Sequence, residues 1–268
     1  MNWFHQLSSP QLAFVIISLT IVGALGGLTL VVRPVRASTL HRHLDNGTII
    51  GLLAALIGVY AIAAGLTAVA VWENMNEAAA DVGKEAAAIA VLYHDLEGYP
   101  QPLQSQAKRA LMVYTQYVID EEWPMHQRGE VPSEVLYTVE EARQATIAFE
   151  PETAGQRITH AQVLSSYNHL LNAQWRRLQA VTDTALPVEL WVIVILLGAI
   201  AIFSCFLLRI DSFLLHAMVT LLVASPIALV LYFIAVSDHP FAGGISASPE
   251  PYRAVINKLM IPDLGKSQ

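Results

Sequence analysis

Residues 48–95 read TIIGLLAALIGVYAIAAGLTAVAVWENMNEAAADVGKEAAAIAVLYHD. The first 25, Thr48 to Trp72, carry no charge. About 20 such apolar residues are enough for a helix to cross a bilayer. Charge begins at Glu73, yet the sequence stays rich in Ala and Glu, both strong helix formers. Neither Gly nor Pro separates Trp72 from Glu73. The stretch therefore predicts a membrane span that leaves the bilayer as a helix.

Three more uncharged runs flank it: Leu12–Val32, Leu190–Leu208 and Ser212–Val236, of 21, 19 and 25 residues. The last holds His216 and Pro226. The chain is 54% hydrophobic and 14% charged, against about 25% charged in a soluble domain. The expectation is an all-α protein with four transmembrane helices, a helical extramembrane domain between spans two and three, and a C-terminal interfacial helix. The boundaries are a transmembrane pair over 1–72 (spans 12–32 and 48–72), a helical domain over 73–186, a second pair over 187–236 (spans 190–208 and 212–236), and an ordered turn with an amphipathic helix over 237–268. Residues 1–11 hold no Lys or Arg, and Arg33 and Arg36 follow the first run, so it reads as a span and not as a cleaved leader.

The block 73–186 carries 16 acids and 8 Lys/Arg, a balance of −8. Its first helix ends at GYPQP, a Gly/Pro break. Ala107, Ala110, Leu111, Tyr114, Tyr117 and Val118 follow at helical spacing, with Pro124 and Gly129 expected to interrupt that helix. A third helix is expected in SEVLYTVEEARQATIAFE, closed by Pro151. A fourth is expected from Thr153 to Val181, with Leu164, Tyr167, Leu171, Trp175 and Leu178 as its apolar stripe, running on towards span three. Pro187, just before that span, suits a helix start or a kink.

Orientation follows from the short loops. Arg33, Arg36 and Arg42 face Asp45 in one, and Arg209 faces Asp211 in the other. By the positive-inside rule both loops are cytoplasmic. Both termini and the helical domain then lie on the non-cytoplasmic side of the cell membrane. Arg176 and Arg177 argue the other way, but long domains count little in that rule.

Four segments carry a family resemblance: GLLAALIGVYAIAAGLTAVAVW (51–72) running into NEAAADVGKEAAAIAVLYHDLEGYP (76–100), YVIDEEWP (117–124), LPVELWVIVIL (186–196) and DHPFAGGISASPEPYR (238–253). With them the chain resembles the bestrophin-like family. The resemblance implies kinship to bestrophins, which are oligomeric anion channels. It also implies a helical domain in the cytoplasm, opposite to the charge count.

Candidate site residues fall in two groups. Gly51, Ala55, Gly58 and Gly65 place small residues on one face of span two, which suits close helix packing, either within one subunit or at a subunit interface or pore wall. Glu189, His216, Asp238, Pro240, Phe241 and Gly243 mark the membrane boundaries. Glu189 opens span three, where a carboxylate wants a partner or the positive end of its helix. His216 lies one turn into span four; an ionisable group there is either functional or at the headgroups. His41 and His43 lack the further ligands of a zinc site. Glu73, Glu77, Glu85, Glu121 and Glu122 read as a solvated acidic face, with no calcium-loop pattern.

The exit from span four, DHPFAGGISASPEPYRAVINKLM, reads as an ordered turn and a helix. Pro240 ends the span, Phe241 folds back to the apolar side, and Gly243-Gly244 permit a tight turn. Ser248 suits an N-cap and Pro249 the first helical position. Tyr252, Val255, Ile256, Leu259 and Met260 form one apolar face, for the bilayer surface or for the protein's own helical block.

No hydrolase, zinc-protease, phosphate-loop or dinucleotide motif is present, and no cofactor or metal is expected. The net charge of −7 excludes a nucleic-acid footprint. The lone Cys205 permits no intrachain disulfide. Two functions stay open. One is a homo-oligomeric channel for a small anion, built around span two. The other is a non-conducting sensory or scaffolding module whose helical domain binds a partner.

Overall fold

The computed structural model describes residues 9–37, 45–132, 137–182, 186–243 and 246–266, and all regular elements among them are helical. His41, Arg42, His43 and Gly244 lie outside the described residues, as does the stretch 133–136 that opens the third expected helix of the block. Helix α1 is Ser9–Ala37 and α2 is Asn46–Asp95. At 1.5 Å per residue, the 50 residues of α2 span about 75 Å, more than twice the roughly 30 Å hydrocarbon core. The second span therefore does continue as one helix out of the bilayer. Four helices are long and apolar enough to cross a membrane: α1, α2, α7 (Val188–Phe206) and α8 (Phe213–Ser237).

Between α2 and α7 lie α3 (Leu103–Tyr117), α4 (Trp123–His126), α5 (Tyr137–Ile147) and α6 (Ala154–Thr182). After α8 come α9 (Glu250–Val255) and α10 (Ile261–Lys266). The fourth helix of the block does not run on into span three. Leu186 and Pro187 are not helical, and α7 starts afresh behind them.

Contacts divide the chain into two compact units: Met1–Asn74 with Ala185–Asp238, and Met75–Thr184 with His239–Gln268. In the first unit α1 packs on α7 and α8. Its outward side chains are apolar (Phe14 is 73% and Leu222 74% exposed), as lipid-facing spans should be. Small residues set the close approaches. A Cβ on Gly198 would sit 3.0 Å from Ile227 Cγ2 and 3.3 Å from the Tyr60 ring, so α2, α7 and α8 meet there. Asn46 and Arg209 exchange two hydrogen bonds: the Arg209 amide donates to Asn46 Oδ1 (2.8 Å) and Asn46 Nδ2 donates to the Arg209 carbonyl (3.0 Å). The start of α2 is thereby tied to the α7–α8 turn.

In the second unit α2 contributes Ala78, Val82, Ile89 and Leu92 to the core, α3 contributes Leu111 and Tyr114, and α6 contributes Val163, Tyr167 and Leu170. The buried stripe of α6 is thus offset from the expected one. Tyr167 is shared, but Leu164, Leu171 and Leu178 are only half-buried and Trp175 is 65% exposed. Both stripes have helical spacing; the core takes the one that also brings in Ser166, Ala173 and Arg177.

Pro124 does not stop the helix that starts at Leu103. Proline has no N–H and its ring clashes with the carbonyl four residues back. The ladder yields instead: Val118–Glu122 form a π-turn in which the Trp123 amide donates to the Val118 carbonyl. The same device recurs at Ile256–Met260, where the Ile261 amide donates to the Ile256 carbonyl and Pro262 follows. Gly129, at φ 72, then closes the first of these helices.

The last segment uses its apolar face on the second unit's own core. Tyr252, Ile256 and Met260 are buried there, with Val255 and Leu259 packed alongside. The helix starts one residue later than expected, with Pro249 as the cap residue; the Ser248 hydroxyl still accepts from the Glu250 amide (3.2 Å). Lys108 clasps the end, reaching Asp263 at 2.8 Å and Glu97 at 3.2 Å while lying over the Tyr93 ring.

Candidate functional site

Among the described residues, nothing packs against the small-residue face of α2. Gly51, Ala55, Gly58 and Gly65 are exposed, and a Cβ added at any of the three glycines would meet nothing within 4 Å. The opposite side of α2 does the packing, through Leu53, Tyr60, Ala64 and Val71. Packing within one subunit is therefore not what these glycines serve among the described residues.

The boundary residues divide. Asp238, at the C-terminus of α8, is buried and accepts from the Leu186 amide (3.2 Å) and the Trp191 indole N–H (3.3 Å). Glu189 is exposed in the first turn of α7, where a carboxylate faces the positive end of the helix. His216 is buried inside the protein, 1% exposed: its Nε2 donates to the Cys205 carbonyl (2.8 Å), and its Nδ1 has no partner among the described residues.

After α8 the chain turns as the sequence suggests. The Pro240 carbonyl accepts from the Ala247 amide (2.8 Å), and Gly243 takes φ 92, the left-handed region that favours glycine. Phe241 is buried in the core of the helical unit, edge-on to Trp123 with ring centroids 5.5 Å apart.

The most polar buried constellation was not expected. Arg177, on α6, is fully buried. Its Nε donates to Glu85 Oε2 (2.7 Å), its Nη2 to Glu122 Oε2 (2.7 Å) and its Nη1 to His126 Nε2 (2.8 Å). Tyr114 donates to Glu85 Oε1 (2.6 Å). The Tyr252 hydroxyl is buried beside Glu85 without a well-formed hydrogen bond. His126 Nδ1 bonds the Glu122 backbone carbonyl, so it must carry the proton, and Nε2 must accept from Arg177. The imidazole is therefore neutral; burial, then the adjacent guanidinium, pushes its pKa down to about 3. Burial works against the charge on Arg177, but Glu85 beside it more than compensates and holds it well above its usual value. Burial raises Glu122 above the usual carboxylate range, although Arg177 pulls it back.

Glu85 and Glu122 are thus not part of a solvated acidic face. A signal was present. Glu85 falls in register with Ala78, Val82, Ile89 and Leu92, and Arg177 with Leu170 and Ala173. A charge on an apolar stripe implies a buried partner. Which partner depends on elements far apart in sequence coming together.

The family model described as Bestrophin-like domain matches residues 19–252. The chain belongs to the bestrophin-like family. No curated protein and no solved structure matches it. The bestrophin-like match takes in most of α1, the other three apolar helices, the Arg177 cluster and the turn after α8, so this is a multi-pass membrane protein of that family.

Proposed function

We propose that copies of this chain assemble in the cell membrane along the small-residue face of α2 and conduct a small anion. The observation that carries the reading is that face. It lies on a 25-residue uncharged span, no described residue of the chain covers it, and glycines recur on it every seventh residue. In lipid, where apolar surface gives helices no hydrophobic drive to associate, small residues allow the close backbone contact that holds them together. Membership of the bestrophin-like family supports the anion. Four spans per chain are too few for a roomy pore, so assembly is part of the proposal. The test is flux through liposomes holding the purified protein, with anions and cations measured separately. Chloride flux above that of empty vesicles is expected, and no flux of any small ion from verified oligomers would overturn it.

A second reading has its own support. The exposed Trp175, with half-buried Leu164, Leu171 and Leu178, gives α6 an outward apolar seam. A non-conducting module would use it to bind a partner protein.

The helical unit and both termini are proposed to be non-cytoplasmic, from Arg33, Arg36 and Arg42 in one short loop. With Cys205 replaced, a membrane-impermeant thiol reagent on intact cells should label a cysteine at Ser105 and not one at Ser38. The reverse pattern would favour the orientation that kinship to bestrophins implies.

A further inference from the structure

The cluster around Arg177 holds two carboxylates and one cation. His126 is neutral by its hydrogen bonding, and Tyr114 and Tyr252 are neutral phenols. With both acids ionised, this buried cluster would carry a net charge of −1. Such a charge is costly unless a partner or a proton cancels it.

The two acids are unequally supported. Glu85 receives Arg177 Nε and Tyr114 O–H at short distance, with Arg177 Nη2 at 3.4 Å. Glu122 receives one donor, Arg177 Nη2, on Oε2. Its side chain also keeps 3% exposure where Glu85 keeps none, so it is the one that water can reach. A proton on Glu122 Oε1 leaves Oε2 free to go on accepting from Arg177.

We propose that this cluster is a proton-binding site of the helical unit, in which Glu122 takes the proton and the packing of the C-terminal helix α9 responds to it. The groups facing Glu122 are Arg177 on α6, Glu85 on α2, His126 on α4, Tyr114 on α3 and Tyr252 on α9. Removing the surplus charge relieves its repulsion with Glu85, and Tyr252 links the pair to α9: its hydroxyl lies beside Glu85 and its ring packs edge-on to Trp123, the neighbour of Glu122. Geometry gives the proton to Glu122, the acid with the single donor.

The sign follows. A carboxyl raised in the folded state binds a proton that the unfolded chain releases earlier. Its stabilising contribution is full below the ordinary carboxylate range and is lost as pH rises through the raised value. The helical unit therefore gains from mild acid, the reverse of ordinary acid denaturation. This holds whether or not the protein conducts.

The test uses the full chain in detergent or nanodiscs between pH 4.5 and 8. Relative to Glu122→Gln, which mimics the protonated acid, the wild-type melting temperature should fall with rising pH by roughly 2–4 °C. Amide exchange in 250–260 should accelerate over the same window in the wild type only. Parallel profiles for the two proteins overturn the proposal. So does a Glu122→Gln protein that cannot fold, because the neutral isostere is the state proposed. Infrared spectra of the wild type across the same pH window are a second readout. A protonated, desolvated carboxyl band supports the site, and its absence overturns it.

Discussion

The indole N–H of Trp191 donates to Asp238 at 3.3 Å, joining the first turn of the third span to the last residue before the chain leaves the fourth. The other carboxylate oxygen takes the Leu186 amide, so one acid satisfies two donors beside a helix start.

Replacing that acid should therefore be felt in the membrane unit. Asp238→Ala leaves the Leu186 amide and the indole unpaired and should cost about 1–3 kcal/mol per buried donor. Asp238→Asn keeps one good acceptor and should cost less. Thermal unfolding in detergent reads both, and an unchanged Asp238→Ala melting point would deny the bracing role.

Two glycines separate packing within the chain from packing between chains. Gly198 has no room: Ile227 and Tyr60 stand where a side chain would go. Gly198→Leu should destabilise the single chain by about 1–3 kcal/mol or more. Gly58 has open space around it, so Gly58→Leu should leave the chain's own stability intact and shift only the oligomer distribution in detergent. A Gly58→Leu protein with unaltered assembly would remove that face from the proposed interface.

Arg177 is the residue whose loss should cost most in the helical unit. Arg177→Ala strands two carboxylates in the interior, at about 3–5 kcal/mol. Arg177→Lys should recover little, because one ammonium cannot reproduce the fork that reaches Glu85, Glu122 and His126 at once. Denaturation followed by circular dichroism at the helix signal distinguishes these from the wild type; near-wild-type Arg177→Lys would mean that only the charge matters.

Deleting residues 245–268 removes Tyr252, Ile256 and Met260 from the second unit's core. Each such side chain is worth about 1.5–3 kcal/mol when fully buried. The truncated protein should melt lower and exchange amides faster along α6. Unchanged exchange over 154–182 would show the segment to be a dispensable tail.

The membrane architecture was legible because length and absence of charge suffice to read a span, and α2 shows no break where the charges begin. The turn after α8 was legible for the same local reasons: Pro240 and Gly243 restrict or free the backbone whatever lies around them. Tertiary facts were harder to read. α6 has two stripes of helical spacing, and only the arrival of Glu85 and Glu122 decides that Arg177 points inward and Trp175 outward. The glycines of α2 fitted packing within one subunit as well as a subunit interface or pore wall, with the first the more ordinary use, and only the folded structure shows that no described residue covers them. The burial of His216 inside the protein, against the carbonyl that Cys205 offers from α7, depends on how two helices pack and had no local signal.

The π-turns have a consequence for chain length. Each carries one residue more than a regular helical turn, and each stands just ahead of Trp123-Pro124 or Ile261-Pro262. Losing one residue elsewhere in α3 would rotate everything beyond it by about 100° and turn core side chains to the outside. Losing one of Ile119, Asp120 or Glu121 would keep Leu111 and Trp123 on the core face in α-helical register, at the cost of crowding Pro124 against the carbonyl four residues back. These turns are the places in the helical unit where a one-residue deletion is best absorbed.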